Sequence, residues 1–468
     1  MKGLFFECLP DTPSLCKDKT ILRQNASRLR FYENYQARPV INTAYQTPVS
    51  DRDTCPPFLV LDNLGKQKLP SRNETRAIVR AILERKYGDI CPPGYIDLVV
   101  RSIKDDPIIL RKPRYRPEQT GQFSEQIPVR HKIMMVVNDR HDIHHVRDRG
   151  YVESPVRIKS ILGELSRTNL FKPAALKRFG GKYISAVHAP DFVNYLKKVS
   201  RNVSSNESIY PYVFPIRNAA RPPRELAIRA GYYCIDTFTP INHNAYLAAK
   251  RAVDCALTAA DGILAGQEIA YALVRPPGHH AERRAFGGFC YFNAAAICAN
   301  YFARHRPVAI LDIDYHHGNG QQNIFYQRKD VLTVSIHGHP RFAYPYFSGF
   351  PEEKGTGDGT GFNVNYPLPQ SVDGQKYRTT LRQALNKIEK FNPGFLIVAL
   401  GLDVAKGDPT GTWSLTPKDF HLNGQMIGAT GLPTLVIQEG GYKIRSLGIN
   451  ARHFFQGLWK GFYSGPNL

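Results

Sequence analysis

The stretch from Pro307 to Gly320 constrains this chain more than any other. Pro307 to Ile313 is a short apolar run rich in Val, Ile and Leu, the composition of a strand covered on both faces. It runs straight into Asp312, Asp314, Tyr315, His316, His317, Gly318, Asn319 and Gly320. Side chains alternate along a strand, so Asp312, Asp314 and His316 are expected to point the same way and converge on one cation where the strand ends. A solvated acidic strand end is the alternative for an isolated motif of this kind.

The motif does not stand alone. The same theme of apolar strand and polar loop recurs at Glu268 to Val274, Val331 to Ile336, Phe395 to Leu400 and Leu435 to Gln438. Between these runs lie helical patterns. Ser154 to Leu165 has Pro155 in its first turn, Asp191 to Val199 follows, and Ala245 to Ala265 is Ala-rich and stops at Gly266. Asn293 to His305 and Lys376 to Phe391 complete the set, while Lys132 to Val137 reads as the first strand and Ile184 to His188 as a short one. This alternation predicts an α/β fold, a parallel central sheet flanked by helices, with functional groups beyond the strands' C-terminal ends.

Residues 1–130 read differently, as an N-terminal extension ahead of a main domain over 131–468. The first half shows little periodicity apart from Phe58 to Leu61. Ser71 to Tyr87 predicts a helix with a Ser71/Glu74 capping box and Ile78, Ala81 and Ile82 on one face. Ile96 to Ile103 predicts a second helix, and the proline-rich Pro107 to Pro128 reads as a linker or an arm. A lid or an arm for homo-oligomer assembly is the expected role.

With 468 residues and 42% hydrophobic content, the chain can bury a large core. No apolar run reaches the roughly 18 residues of a membrane span, and Met1 to Pro10 lacks the pattern of a signal peptide. The eight cysteines form no CxxC pair. A soluble, cytoplasmic protein without a disulfide framework is expected. The net charge of +22 suits nucleic acid or chromatin as a partner. Arg and Lys are spread along the chain rather than clustered, however, so a generally basic surface is the preferred reading.

Four motifs sit at the strand ends in order: Arg275, Pro276, Pro277, Gly278, His279, His280 with Phe286 to Asn293; the aspartate–histidine stretch; Gly401, Leu402, Asp403; and Glu439, Gly440, Gly441, Tyr442. In this arrangement the chain resembles the zinc-dependent histone deacetylase superfamily, of arginase/deacetylase fold, over residues 131–468. Within it, Gly231 to Cys234 and Phe342 to Gly349 are similar to the bacterial acetylpolyamine amidohydrolases.

The resemblance implies Asp314, His316 and Asp403 as zinc ligands, a set that iron(II) or cobalt(II) also satisfies. It implies His280 as the general base toward the attacking water and His279 as its electrostatic partner. Asp312 would orient His279, and Asn319 would orient His280 where some branches carry aspartate. Tyr442, in a Gly-Gly loop free to swing, would hydrogen-bond the oxyanion of the tetrahedral intermediate. Phe289 and Tyr344 would wall a narrow substrate tunnel, with Gly287 and Gly288 permitting close backbone approach. Asp312, Asp314, His316 and Ser335 match a structural potassium site.

The reaction implied is hydrolysis of an acetylated amine to acetate and free amine. For small cationic substrates such as acetylputrescine, carboxylates are expected at the tunnel mouth, and Asp139, Asp142, Asp148 and Glu153 are the candidates. Against that stand Arg217, Arg221, Arg224 and Arg229 in the insertion before Gly231, and Thr410 where a eukaryotic polyamine deacetylase carries a gatekeeping glutamate. A protein acetyl-lysine substrate is therefore the close rival. A non-catalytic acetyl-ligand binding module is disfavoured by the intact Tyr442 and His279/His280 pair. A manganese ureohydrolase would need further Asp and His ligands and would leave the Glu439–Tyr442 motif without a role.

Overall fold

The computed structural model describes the whole chain except residues 1–2, 17, 34, 51–54, 65–68, 116–126, 149, 216–220 and 465–468. It divides into two compact units, Met1–Ser124 and Glu125–Leu468.

The larger unit is built on an eight-stranded sheet. Its spatial order is Asn363–Leu368, Val331–Gly338, Val308–Asp312, Phe395–Leu400, Thr434–Gln438, Ile269–Leu273, Ile133–Val137 and Phe171–Pro173. Every neighbouring pair is parallel. Alternate residues feed two separate cores, as a sheet covered on both faces requires. Val308 and Ile310 face one core with the helices Ala245–Leu264 and Ala294–Phe302; Ala309 and Leu311 face the other with Val156–Leu165, Gly374–Phe391 and Ile444–Ser464. The fold is α/β with a parallel central sheet flanked by helices.

Because all strands run one way, Leu273, Asp312, Leu400 and Gln438 finish on the same side. Asp312 pairs with Ala399 and Ser335, and Leu400 with Gln438, so the loops after these strands open next to one another. This is the crevice where α/β sheets gather ligands.

Several local expectations are corrected. Ile184 to His188 is not a strand: Lys182–Ser185 is a short helix, and Ile184 and Val187 are both buried at helical spacing. The Val308–Asp312 strand ends at Asp312, so Asp314 and His316 are presented by the following loop rather than by strand alternation. Several helices of this larger unit escaped the sequence reading, the longest being Pro417–Gly428 and Ile444–Ser464. These two pack backbone to backbone: a Cβ added at Gly457 would lie 1.9 Å from the His421 carbonyl oxygen, and one at Gly424 would lie 2.2 Å from that of Phe454. Such contact needs residues without side chains.

The Met1–Ser124 unit has its own three-stranded antiparallel sheet, with Phe58–Asp62 between Leu4–Cys8 and Arg38–Pro39. The capping box at Ser71 and Glu74 is present, but the buried stripe of the Arg72–Tyr87 helix is Thr75, Val79 and Leu83, with Ile78 and Ile82 at its flanks. The first half holds a helix the sequence reading missed, Lys19–Glu33. Pro107 onward is not merely a linker at its start, because Ile108 and Leu110 join the core of this unit. Asp11 Oδ1 accepts from Arg111 Nη1 (2.7 Å), and Glu33 accepts the backbone N–H groups of Arg114 and Tyr115. Residues 116–126 of that segment, and Arg217, lie outside the described residues.

Substituting Gly457→Ala should destabilise the larger unit by about 1–3 kcal/mol, as overpacking does. The measurement is the urea midpoint of the full-length chain, which should fall without a change in slope.

Candidate active site

The loops after two neighbouring strands, Val308–Asp312 and Phe395–Leu400, bring together Asp314, His316 and Asp403. His316 Nδ1 lies 3.1 Å from Asp314 Oδ1 and 3.1 Å from Asp403 Oδ2, and the three donor atoms fall within 4.8 Å of one another. Backbone groups fix both carboxylates: Gly440 N–H donates to Asp314 Oδ2 (2.8 Å) and Tyr315 N–H to Asp403 Oδ1 (2.9 Å). Burial, with the nearby Asp314 charge, pushes Asp403 up to about 7. Burial alone would depress His316, yet hydrogen bonds to Asp314 and Asp403 raise it to about 9. The cluster thus favours positive charge at its centre. Two carboxylate oxygens and one imidazole nitrogen suit a borderline divalent cation with a position left open. Gly440 keeps that side clear, since a Cβ there would meet Asp314 Oδ2 at 2.5 Å and Asp403 Oδ2 at 2.6 Å.

His279, Cys290 and Glu439 form a second group of candidate donors within 4.8 Å. Part of this group is engaged elsewhere, while Glu439 Oε1 is buried without a hydrogen-bond partner. His279 Nδ1 meets Asp312 Oδ2, and Glu439 Oε2 accepts the N–H groups of Gly278 and His279.

The two histidines lie with ring centroids 3.9 Å apart, both buried, in different electrostatic settings. His279 Nδ1 is 3.0 Å from Asp312 Oδ2 and its Nε2 is 3.8 Å from Asp314 Oδ1. Burial opposes its charging, but the Asp314 and Asp312 carboxylates push it up to about 10. His280 is held well below the usual histidine range by burial and by its neighbours His279 and His316. A charged imidazole beside a neutral one is the division of labour that proton transfer at neutral pH requires.

The sequence reading named Asn319 as the partner of His280 but missed Glu282, which orients Asn319. Asn319 Oδ1 lies 2.7 Å from His280 Nδ1, while Asn319 Nδ2 donates to Glu282 Oε1 (2.8 Å). A carboxylate can only accept there, so the amide presents its oxygen to His280. His280 Nδ1 then carries the proton, and Nε2 is left as a free acceptor. Glu282 stands two residues after His280, a spacing that gave no hint of the contact.

Tyr442 is buried, and its loop is clamped instead of free to swing. Arg157 Nε donates to the Gly441 carbonyl (2.7 Å), Nη2 donates to that of Glu439, and the guanidinium lies 4.8 Å from the Tyr442 ring centroid. From the other side, Asp408 Oδ2 accepts the N–H groups of Tyr442 (2.7 Å) and Lys443 (2.9 Å). Asp408 Oδ1 accepts from Thr410, which places that residue in the clamp's support. Neither Arg157 nor Asp408 stood out in sequence, because a clamp across some 30 residues of chain or more leaves no local pattern.

Phe289 packs edge-on against Tyr442 at 5.7 Å, and Tyr344 lies 4.7 Å from His280 between ring centroids. Gly288 lies between, where a Cβ would come within 2.1 Å of His280 Cδ2 and 2.9 Å of Tyr344 Cε1. Ser335 is buried beside Asp312 in the sheet, with Oγ 2.8 Å from His337 Nδ1. The proposed mouth carboxylates fare unevenly. Glu153 is fully buried and ion-paired with Arg157 and Arg275, and Asp139 makes a two-pronged pair with Arg251. Asp148 bonds the Tyr210 hydroxyl, and Asp142 is exposed. Arg221 and Arg224 are exposed, and Arg229 donates to the Pro223 carbonyl.

Comparison with known proteins agrees with this geometry. Residues 151–458 match the histone deacetylase domain. The chain is 38% identical over 339 residues to acetylpolyamine amidohydrolase 2 of Pseudomonas aeruginosa, covering 70% of this chain and 98% of that protein. It is 30% identical over 378 residues to histone deacetylase 15 of Arabidopsis thaliana, covering 79% and 62% respectively. The crystal structure of acetylpolyamine aminohydrolase from Burkholderia pseudomallei superposes with a TM-score of 0.67 at 36% identity, covering 71% of this chain and 99% of that one. The chain therefore belongs to the histone deacetylase family, hydrolases that act on amides.

Proposed function

We propose that this protein hydrolyses the amide of small acetylated amines, releasing acetate and the free amine, as an acetylpolyamine amidohydrolase. The observation that carries the reading is the meeting of a neutral, oriented His280 with the Asp314–His316–Asp403 cluster and the Tyr442 loop at one set of strand ends. Likeness to bacterial acetylpolyamine amidohydrolases, at 38% and 42% identity, supports the substrate class.

In this reading Asp314, His316 and Asp403 would hold a divalent cation, zinc first and iron(II) or cobalt(II) as substitutes. Bound there, it supplies Lewis-acid polarisation of the amide carbonyl and makes water more acidic. A potassium ion would sit by Asp312, Asp314, His316 and Ser335. His280 Nε2 takes the proton of the attacking water and returns it to the departing amine nitrogen, so water adds across the C–N bond. His279, charged through Asp312 and Asp314, offsets the negative charge that develops on the carbonyl oxygen. The Tyr442 hydroxyl donates to that oxygen, and the clamps from Arg157 and Asp408 keep the phenol in place. Phe289 and Tyr344 sheathe the amine's aliphatic chain and exclude water. A cytoplasmic setting is consistent with eight cysteines that form no disulfide. No described helix is long and apolar enough to cross a membrane.

A protein acetyl-lysine substrate is the second reading. It is favoured by the engagement of Asp139 and Glu153 with arginines, which removes two of the four carboxylates expected to greet a cationic amine.

Measured side by side, kcat/KM on acetylputrescine should exceed that on an acetyl-lysine peptide by more than about tenfold; preference for the peptide would establish the second reading. Tyr442→Phe should lower kcat about 100- to 1,000-fold, and His280→Ala at least about 100-fold, with circular dichroism unchanged. Asp403→Asn should reduce zinc content after dialysis, determined by mass spectrometry. Glu282→Leu frees the Asn319 amide to rotate and should lower kcat about tenfold or more, whereas Glu282→Gln, which can still accept, should retain most of it. Equal loss in both Glu282 variants would contradict the orienting role.

A further inference from the structure

We propose that Asp236 is a positioning residue that fixes the separation of the two aromatic walls of the tunnel, and thereby confines the enzyme to unbranched amine chains. The inference deepens the amidohydrolase reading and rests on it for the identity of the chain the tunnel holds.

Asp236 is 7% exposed, and its carboxylate accepts six hydrogen bonds, one of them a long contact from the Cys234 thiol to Oδ1 (3.9 Å). Oδ1 takes the backbone N–H groups of Phe238 (3.0 Å) and Thr239 (2.8 Å), which fold the chain tightly around the acid. Oδ2 takes the Gly288 N–H (2.6 Å), the Thr239 hydroxyl (3.0 Å) and the Tyr344 hydroxyl (2.9 Å). One oxygen atom therefore ties the turn that carries Phe289 to the ring of Tyr344, the two walls named above.

The turn needs such a tie. Phe289 has φ of 68° and Gly288 has φ of 54°. Left-handed backbone is unfavourable for a phenylalanine, costing on the order of 1–3 kcal/mol, and persists only where the surroundings over-determine it. Here the Gly288 N–H is held by Asp236 Oδ2, and the Phe289 N–H donates to Thr239 Oγ1 (3.1 Å), whose own proton goes to Asp236. The acid also caps the space available: a Cβ at Gly287 would lie 2.9 Å from Asp236 Oδ2. Phe238, on the Asp236 turn itself, lies 5.5 Å from Phe289 and 5.5 Å from Tyr344 and is 41% exposed, which extends the aromatic walls outward.

All six of these bonds come from donors, so an ionised carboxylate satisfies them and an amide of the same shape does not. Asp236→Asn sets an NH2 group against at least one donor cluster and should let the Phe289 turn and Tyr344 separate. For an acetylated linear diamine, KM should rise about tenfold or more while kcat changes less than about threefold. The ratio of kcat/KM between a linear chain and one with a methyl branch near the amide should fall toward unity. Mere loss of stability would reduce active enzyme, seen as lower kcat with KM and the ratio unchanged, and that result would overturn the proposal.

Tyr344→Phe removes one hydrogen bond of the network, and Thr239→Val removes two, the one to Asp236 and the one from the Phe289 N–H, while both leave the acid in place. Should Asp236→Asn fail to fold, these variants decide, and unchanged selectivity in both overturns the assignment. The same selectivity is to be read by calorimetric titration of the zinc-loaded protein with 2-nonanone, the ketone isostere of N-hexylacetamide, and a branched isomer of it, neither of which has an amide bond to hydrolyse. An enzyme inert toward acetylated amines would overturn the proposed reaction, while the titration would still decide the role of Asp236.

Discussion

The structure depends on keeping a crowd of carboxylates dry. Asp312, Asp314, Asp403, Glu439 and Glu153 all lie within the strand-end region with essentially no exposure. An uncompensated buried charge costs several kcal/mol, so each acid must find positive charge or convergent donors. Asp312 and Asp314 find His279; Glu439 finds two backbone N–H groups; Glu153 finds Arg157 and Arg275. Asp314 and Asp403 find His316, and their alignment leaves an evident place for a divalent cation. The chemistry follows from this compensation. Asp314 and Asp312 push His279 toward its charged form, while burial and the neighbouring His279 and His316 push His280 toward its neutral one.

The same economy explains the rigidity of the site. Arg157 is buried because Glu153 needs it, and once there it binds the carbonyls on either side of the Gly440–Gly441 turn. Asp408 closes the opposite side of that turn. The loop that carries Tyr442 is thus held on both sides by charged side chains from distant segments. On the far wall, Asp236 performs the equivalent task for Phe289 and Tyr344. Three buried ionic side chains, none of them expected to touch the reacting atoms, define the shape of the cavity in which those atoms meet.

Much of this was legible in the chain itself, for identifiable reasons. The strands could be read because apolar runs bounded by polar loops mark a doubly covered sheet, and the parallel alternation placed the motifs at one edge. His279, His280, Asp314, His316, Asp403 and Tyr442 could be singled out because each stands in a short, unusual context directly after a strand. The reading failed where the signal was weak or ambiguous. Ile184 and Val187 suit either a short strand or a helical turn, and only packing chose the turn. In the Arg72–Tyr87 helix the apolar residues are too evenly spread to reveal that Thr75, Val79 and Leu83 form the buried stripe. Asp139 and Glu153 looked available to a cationic substrate until their arginine partners came into view.

By itself the sequence determined the central strands of the sheet, the ends at which the motifs gather and the residue types they hold, because these depend on local periodicity and on contiguous motifs. Only the tertiary structure decided which way each of those residues is turned and held. Asn319 faces His280 with its oxygen because Glu282 takes its nitrogen, the Tyr442 loop is fixed because Arg157 and Asp408 reach it from distant segments, and Asp236 joins two walls 52 and 108 residues further along the chain. Hydrogen bonds and ion pairs of this kind need distances set to within a few tenths of an ångström between segments that the fold alone brings together, and no local pattern of residues encodes them.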